Sequence, residues 1–276
     1  MIYTMLRFPQ FRAKALTFSY DDGMIFDGKL VEILDKYGLK GTFNLNSGLF
    51  DGGAARRLTQ EQALALFKNS PHEVAIHGRM HLHLPSLPPA LAAQEILSDR
   101  QALEELFGGV ITGMAYAYGT YDDASVQTLK NCGISYARTT VSTGRFDIPT
   151  DWLRMPATCH HDDARLMDLA KQFAQHTPSA NWRCERPLLF YVWGHSYEFN
   201  DKVNWNVIED FAAYLGGRDD VWYATNMEIY RYVKAYDALE FSSDGASVYN
   251  PSAQDVYLHI MGTDVVALAG KTTALR

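Results

Sequence analysis

Ala15-Leu-Thr-Phe-Ser-Tyr-Asp-Asp-Gly23, followed by Met24-Ile-Phe-Asp-Gly-Lys-Leu-Val-Glu-Ile-Leu-Asp-Lys-Tyr-Gly38 and by Gly41-Thr-Phe-Asn-Leu45, decides the fold. The apolar run Leu16–Tyr20 reads as a strand, Phe26–Tyr37 carries a helical period that stops at Gly38, and 41–45 is the next strand. This is the βαβ rhythm of a parallel sheet, and it repeats. Thr59–Phe67 is a helix behind a Thr cap with Gln62 three residues on, and Val74–Ile76 is a strand. Pro88–Phe107, Asp123–Cys132, Asp163–Gln175 and Asn206–Leu215 read as helices; Met114–Ala117, Ser135–Arg138, Leu188–Trp193 and Val221–Ala224 read as strands. The expected fold is α/β: a distorted (β/α) barrel of six to eight parallel strands over residues 1–236. After Tyr236 the pattern changes to period two between turn residues, which predicts a small C-terminal antiparallel β appendage, residues 237–276. About 40 residues cannot easily bury a core of their own, so it is expected to pack on the barrel.

With 276 residues and 47% hydrophobic content the chain can bury one substantial core. A net charge of −7 and the lack of a basic run argue against nucleic-acid or anionic-membrane partners and for a neutral or cationic substrate. Cys132, Cys159 and Cys184 are odd in number and far apart, so they read as free thiols of a reducing compartment. The N-terminus lacks a charged start and a long apolar core, and no later stretch approaches about 18 apolar residues. A cytoplasmic location is expected.

In a barrel the active site collects at the carboxyl ends of the strands. Asp21 and Asp22 end the first strand, where two neighbouring carboxylates can divide metal binding and base catalysis, although Asp-Asp-Gly alone is also ordinary turn chemistry. Glu73-Val-Ala-Ile-His77-Gly-Arg-Met-His81 ends a second apolar run in two histidines four apart. If the chain turns helical there, the imidazoles share one face. With Asp22 they would make a His-His-carboxylate set open to water and substrate, suited to zinc, iron, cobalt or manganese. His83 breaks the spacing and reads as a solvated loop imidazole. Tyr118-Gly119 could turn a backbone N–H toward a developing oxyanion. Leu188-Leu-Phe-Tyr-Val-Trp-Gly-His195 places a histidine at another strand end, where it can exchange a proton near neutral pH.

In this order, Thr-Phe-Ser-Tyr-Asp21-Asp22-Gly, His77-Gly-Arg-Met-His81, Ala-Tyr-Ala-Tyr118-Gly, Asp151-Trp152 and Val-Trp-Gly-His195 resemble the five motifs of the polysaccharide deacetylases, the NodB-homology superfamily within carbohydrate esterase family 4. The resemblance implies Asp21 as catalytic base and Asp22, His77 and His81 as metal ligands. It also implies Tyr118 as oxyanion donor through its N–H and His195 as general acid oriented by Asp151. Trp152, with Tyr118, would contact substrate. The implied cofactor is a divalent metal, with zinc the first expectation and cobalt, manganese, iron or nickel the alternatives. The implied partner is an acetylated oligosaccharide or polysaccharide.

Two departures stand out. The arginine that tethers the base aspartate in the family falls at Ala115, and Gly78 replaces a hydroxyl residue. A metal-dependent amidohydrolase or deformylase on a small non-sugar amide, or a non-catalytic glycan-binding barrel, are the competing functions. Cys159-His160-His161-Asp162-Asp163 carries metal-ligand residue types just before a helix, where capping is the favoured reading and a place in the substrate cleft the other. Tyr197 and Trp205 could stack on sugar rings.

Overall fold

The computed structural model describes residues 3–50, 56–177 and 186–275; Cys184 lies outside them. After a two-residue strand, β1 (Leu6–Arg7), the barrel strands are β2 (Lys14–Asp21), β3 (Gly41–Leu45), β4 (Glu73–Ile76), β5 (Gly113–Ala115), β6 (Tyr136–Ser142), β7 (Met155–Ala157), β8 (Cys159–His160), β9 (Leu188–Gly194) and β10 (Val221–Tyr223). The hydrogen-bonded order is β7-β6-β5-β4-β3-β2-β9-β8, all parallel, with β10 beside the first half of β2. Residues 155–160 close the ring: Met155 and Ala157 pair with β6, and two residues later Cys159 and His160 pair with β9. Among the described residues the barrel therefore has seven staves, one of them the interrupted pair β7/β8.

Side-chain alternation along β2 sorts the core into two layers. Leu16, Phe18 and Tyr20 point outward into the large cluster beneath the helices, with Phe43, Leu45, Phe190 and Val192. Ala15 belongs instead to a second cluster with Tyr136, Leu189, Tyr191 and Trp193. The helices are α1 (Asp27–Lys36), α2 (Gln60–Phe67), α3 (Pro89–Phe107), α4 (Asp123–Asn131), α5 (Leu166–Gln175), α6 (Ser196–Asp201), α7 (Asn206–Leu215) and α8 (Asn226–Asp237). Thr59 and Thr225 cap α2 and α8 with complete capping boxes. The start of α8 plugs the amino end of the barrel: Asn226 Nδ2 donates to Tyr191 and Met227 N–H to Glu73, which also receives Tyr136 OH.

The last strands, β11 (Glu240–Phe241), β12 (Ser247–Tyr249), β13 (Val256–Ile260), β14 (Thr263–Ala267) and β15 (Thr272–Ala274), are antiparallel and form two small sheets. β13 also pairs with β1, so the start of the chain joins this sheet. Val248, Val256, Leu258 and Ala267 cluster with Ala235 of α8.

Candidate active site

Asp22 follows β2 with φ +82°, and His81 and Tyr118 also occupy the left-handed region, at φ +56° and +57°. Three non-glycine residues in this costly region, all at one rim of the barrel, mark where structure is held against local preference. The segment from His77 to His81 is a loop and not a helical turn, with Gly78 at φ +81°. Glycine here answers to the backbone: a Cβ would also sit 3.1 Å from Glu95 Oε1. The loop is anchored by Asp99, whose carboxylate accepts His77 N–H at 3.1 Å and Ser47 N–H at 2.7 Å.

The loop nevertheless brings the rings of His77 and His81 to 4.8 Å, and one oxygen of Asp22 lies 3.5 Å from His81 Nε2 and 4.0 Å from His77 Nε2. The tautomer of His77 is set by its surroundings. Its Nδ1 lies 2.8 Å from the carbonyl of Ala115, which can only accept, so Nδ1 carries the hydrogen and the Nε2 lone pair faces Asp22. Burial keeps His77 neutral by lowering its pKa, and the same cause with the neighbouring His77 pushes His81 down to about 4. One donor atom from each of Asp22, His77 and His81 lies within 4.8 Å of the others, and the buried Oδ1 of Asp22 accepts no well-aligned hydrogen bond among the described residues. This donor set fits a divalent cation. Arg57 stands beside it, 3.3 Å from Asp22 Oδ1.

Asp21 is buried inside the barrel. Asn44 Nδ2 donates to its Oδ1 at 2.8 Å, and the guanidinium of Arg138, on β6, binds its Oδ2. Arg138 is itself fully buried with its guanidinium 4.6 Å over the Trp193 ring. The position of the family's tethering arginine is Ala115, on β5; the cation comes instead from the next strand, whose Arg138 pairs in register with Ala115. Burial alone would raise the Asp21 pKa, but Arg138 above all, with His195 and with His77 once that ring is charged at low pH, outweighs it and holds it at about 2.

His195 Nε2 lies 4.0 Å from Asp21 Oδ2 and 3.9 Å from Asp22 Oδ2. Burial opposes charging this ring, but Glu198, Asp21 and Asp22 raise its pKa above the usual histidine value. The carboxylate facing its Nδ1 is Glu198, at 3.5 Å, and this corrects the expectation for Asp151. Asp151 accepts Leu153 N–H and pairs with Arg154 at 2.8 Å. Trp152 is buried against Tyr230 of α8, and both residues precede β7, toward the barrel's amino end, which is why they do not gather at the rim. Tyr118 is exposed at the rim, its ring 4.4 Å from His81 and stacked on His83 at 4.0 Å; His83 is an exposed loop residue, as expected, with Tyr118 against one face of its ring.

His160, His161 and Asp162 form a second polar group with Glu198. The capping expected of this stretch is not found: α5 starts behind Arg165 with no side-chain cap, and Asp163 instead accepts the N–H of Arg165 and pairs with its guanidinium. Burial would raise the Glu198 pKa, but its contacts with His160, His161 and His195 drive it far below the carboxylate range. Arg138 and Glu198 are the residues that the motifs missed. Arg138 ends the predicted strand 135–138, and Glu198 stands three residues after His195.

Residues 9–137 match the sequence profile described as polysaccharide deacetylase, while no curated protein matches the chain. A Mycobacterium smegmatis structure described as a polysaccharide deacetylase shares the fold at 16% identity and a TM-score of 0.59, covering 84% of this chain and 94% of that one. A carbohydrate esterase family 4 pseudoenzyme from Bacillus anthracis does so at 13% identity and 0.51, over 79% and 65%. A Streptococcus pyogenes deacetylase solved with acetate is 25% identical over 50% of this chain, with a TM-score of 0.46, and the chain spans 62% of that protein's length. The profile match over residues 9–137 agrees with the motifs, and the barrel is the fold that these structures share. Because neighbours of this fold include a pseudoenzyme, activity has to be argued from the side chains.

Proposed function

We propose that the chain is a metal-dependent hydrolase that removes N- or O-linked acetyl groups from a carbohydrate. The observation that carries this is the preset tautomer of His77, whose Nε2 lone pair joins His81 Nε2 on the same oxygen of Asp22 beside a second, separately held carboxylate. Asp22, His77 and His81 would hold the cation, zinc suiting the nitrogen and oxygen donors. When bound, it supplies Lewis-acid polarisation of the acyl carbonyl.

The chain's own groups supply the rest. Asp21, kept ionised by Arg138, accepts a proton from the attacking water. The N–H of Tyr118 is the candidate donor to the acyl oxygen as it gains charge. His195, protonated, gives its Nε2 proton to the departing amine or alcohol. The exposed Tyr118 ring offers a face at the rim for a sugar.

The test is acetate release from acetylated chito-, xylo- and peptidoglycan fragments, with metal content measured alongside. Asp21→Asn should lose on the order of 10²–10⁴-fold in turnover, the scale of general-base catalysis, while still binding metal. His77→Ala should lose both. Normal turnover in Asp21→Asn would remove the base assignment.

A further inference from the structure

Glu198 sits in the first turn of α6 and is approached by three imidazoles. His160 Nε2 and His161 Nε2 lie 3.1 Å and 2.9 Å from its Oε2, and His195 Nδ1 lies 3.5 Å from its Oε1. The carboxylate thus turns one oxygen to the two histidines after β7 and the other to the histidine at the end of β9.

The hydrogen on His160 is placed by a backbone donor. Asp162 N–H points at His160 Nδ1 at 3.2 Å, so Nδ1 accepts, and in the neutral ring Nε2 carries the hydrogen on the side of Glu198. His161 cannot swing away. It is fully buried, stacked on Phe199 at 4.0 Å and on Tyr20 at 5.8 Å, and its Nδ1 lies where a Cβ at residue 194 would be, a space left open by Gly194. With Oε2 turned to those two rings, Oε1 of Glu198 faces the buried Nδ1 of His195, which makes no hydrogen bond elsewhere among the described residues. A His195 that gives its Nδ1–H to Oε1 presents Nε2 to the site, at 4.0 Å and 3.9 Å from the oxygens of Asp21 and Asp22.

We propose that Glu198, backed by His160 and His161, is the positioning residue that holds His195 in the ring orientation from which Nε2 protonates the leaving group. The assignment rests on the deacetylase reading above. The same four residues have the types of a metal cage. A cation on His160 Nε2, however, would need the hydrogen on Nδ1, where Asp162 N–H already points.

Two substrates separate this role from a structural one. An N-acetylated amino sugar must have its departing amine protonated, whereas 4-nitrophenyl acetate releases a phenolate that needs no acid. For the metal-loaded protein, Glu198→Gln should lower kcat on the N-acetyl sugar about 100-fold with KM changed less than about threefold, the scale of one general-acid contribution. On 4-nitrophenyl acetate it should cost less than about threefold, because no proton has to be delivered. Combining it with His195→Ala should cost no more than His195→Ala alone, as for residues acting as one unit. Metal content should stay at one per chain in both single variants.

Equal losses on the two substrates, or additive losses in the double variant, would overturn the assignment alone. Two metals in the unaltered protein falling to one in Glu198→Gln would replace it with a second cation site. No acetate from either substrate with any metal would overturn the deacetylase reading, and this assignment with it.

Discussion

Replacing Arg138 by Met removes the guanidinium bound to Asp21 and nearly preserves its volume. A second buried aspartate in the same barrel shows how a carboxyl group behaves without such a cation. Asp27, equally buried, accepts Ser196 Oγ–H at 2.5 Å and Met24 N–H at 3.0 Å but has no cationic partner; burial, with smaller effects from Asp22 and Asp21, lifts its pKa to about 7. Asp21, with Arg138, stays at about 2. The gap of about five units corresponds to on the order of 7 kcal/mol of differential stabilisation of the carboxylate, an upper bound for the effect of the guanidinium. A cation held by Asp22, His77 and His81 would lower both values further. The acid limb of kcat/KM should therefore move up by at least about two pH units in Arg138→Met, to about 4 or higher, so that activity at pH 4 falls about twofold or more and recovers by pH 8. Stability at neutral pH should fall by about 3–5 kcal/mol, the cost of stranding one buried charge, and Asp21→Asn in the same chain should restore much of it. Stopped assays across pH with denaturant unfolding measure both. An acid limb within about half a unit of the unaltered protein's, with activity lost equally at every pH, would show that Arg138 does not set the Asp21 pKa.

Asp27 makes a separate prediction about pH. Its folded pKa of about 7 lies above the ordinary value of 3.8, so the folded state binds the proton more tightly. That stability is complete below pH ~4 and is lost as pH rises through about 7, at ~1.4 kcal/mol per unit. Asp27→Asn should flatten the fall in unfolding free energy between pH 5 and pH 8 by about 2–3 kcal/mol, and an unchanged slope would count against it. Gly194→Ala places a methyl group against His161 Nδ1, where the flanking rings of Tyr20 and Phe199 leave no retreat, and should cost about 1–3 kcal/mol. Unfolding at the same denaturant concentration as the parent would show that His161 is not packed as described.

The parallel strands and most helices are legible in the chain because their periodicity is strong; 206–215 is a helix with the predicted bounds. The closing stave 155–160 is not, because two very short strands around Thr158 carry no period. At the site, side chains at the ends of long apolar runs, Asp21, Asp22, His77 and His195, meet because parallel strands deliver their carboxyl ends to one rim. Asp151 and Trp152 do not, since they precede their strand instead of ending it. Arg138 and Glu198 escaped notice for another reason: each acts through a partner distant in sequence or across a helix turn, and no local spacing signals a tether that has moved to the next strand.

Whether hydrolysis depends on a cation held by Asp22, His77 and His81 is decided by acetate release from N- and O-acetylated oligosaccharides, with the chelator-stripped chain titrated with zinc. Release should be absent without metal and rise to a plateau at one zinc per chain, with no rise in His77→Ala. Binding of the same oligosaccharides without acetate release, whatever metal is supplied, would rule out cation-dependent hydrolysis and leave a glycan-binding barrel.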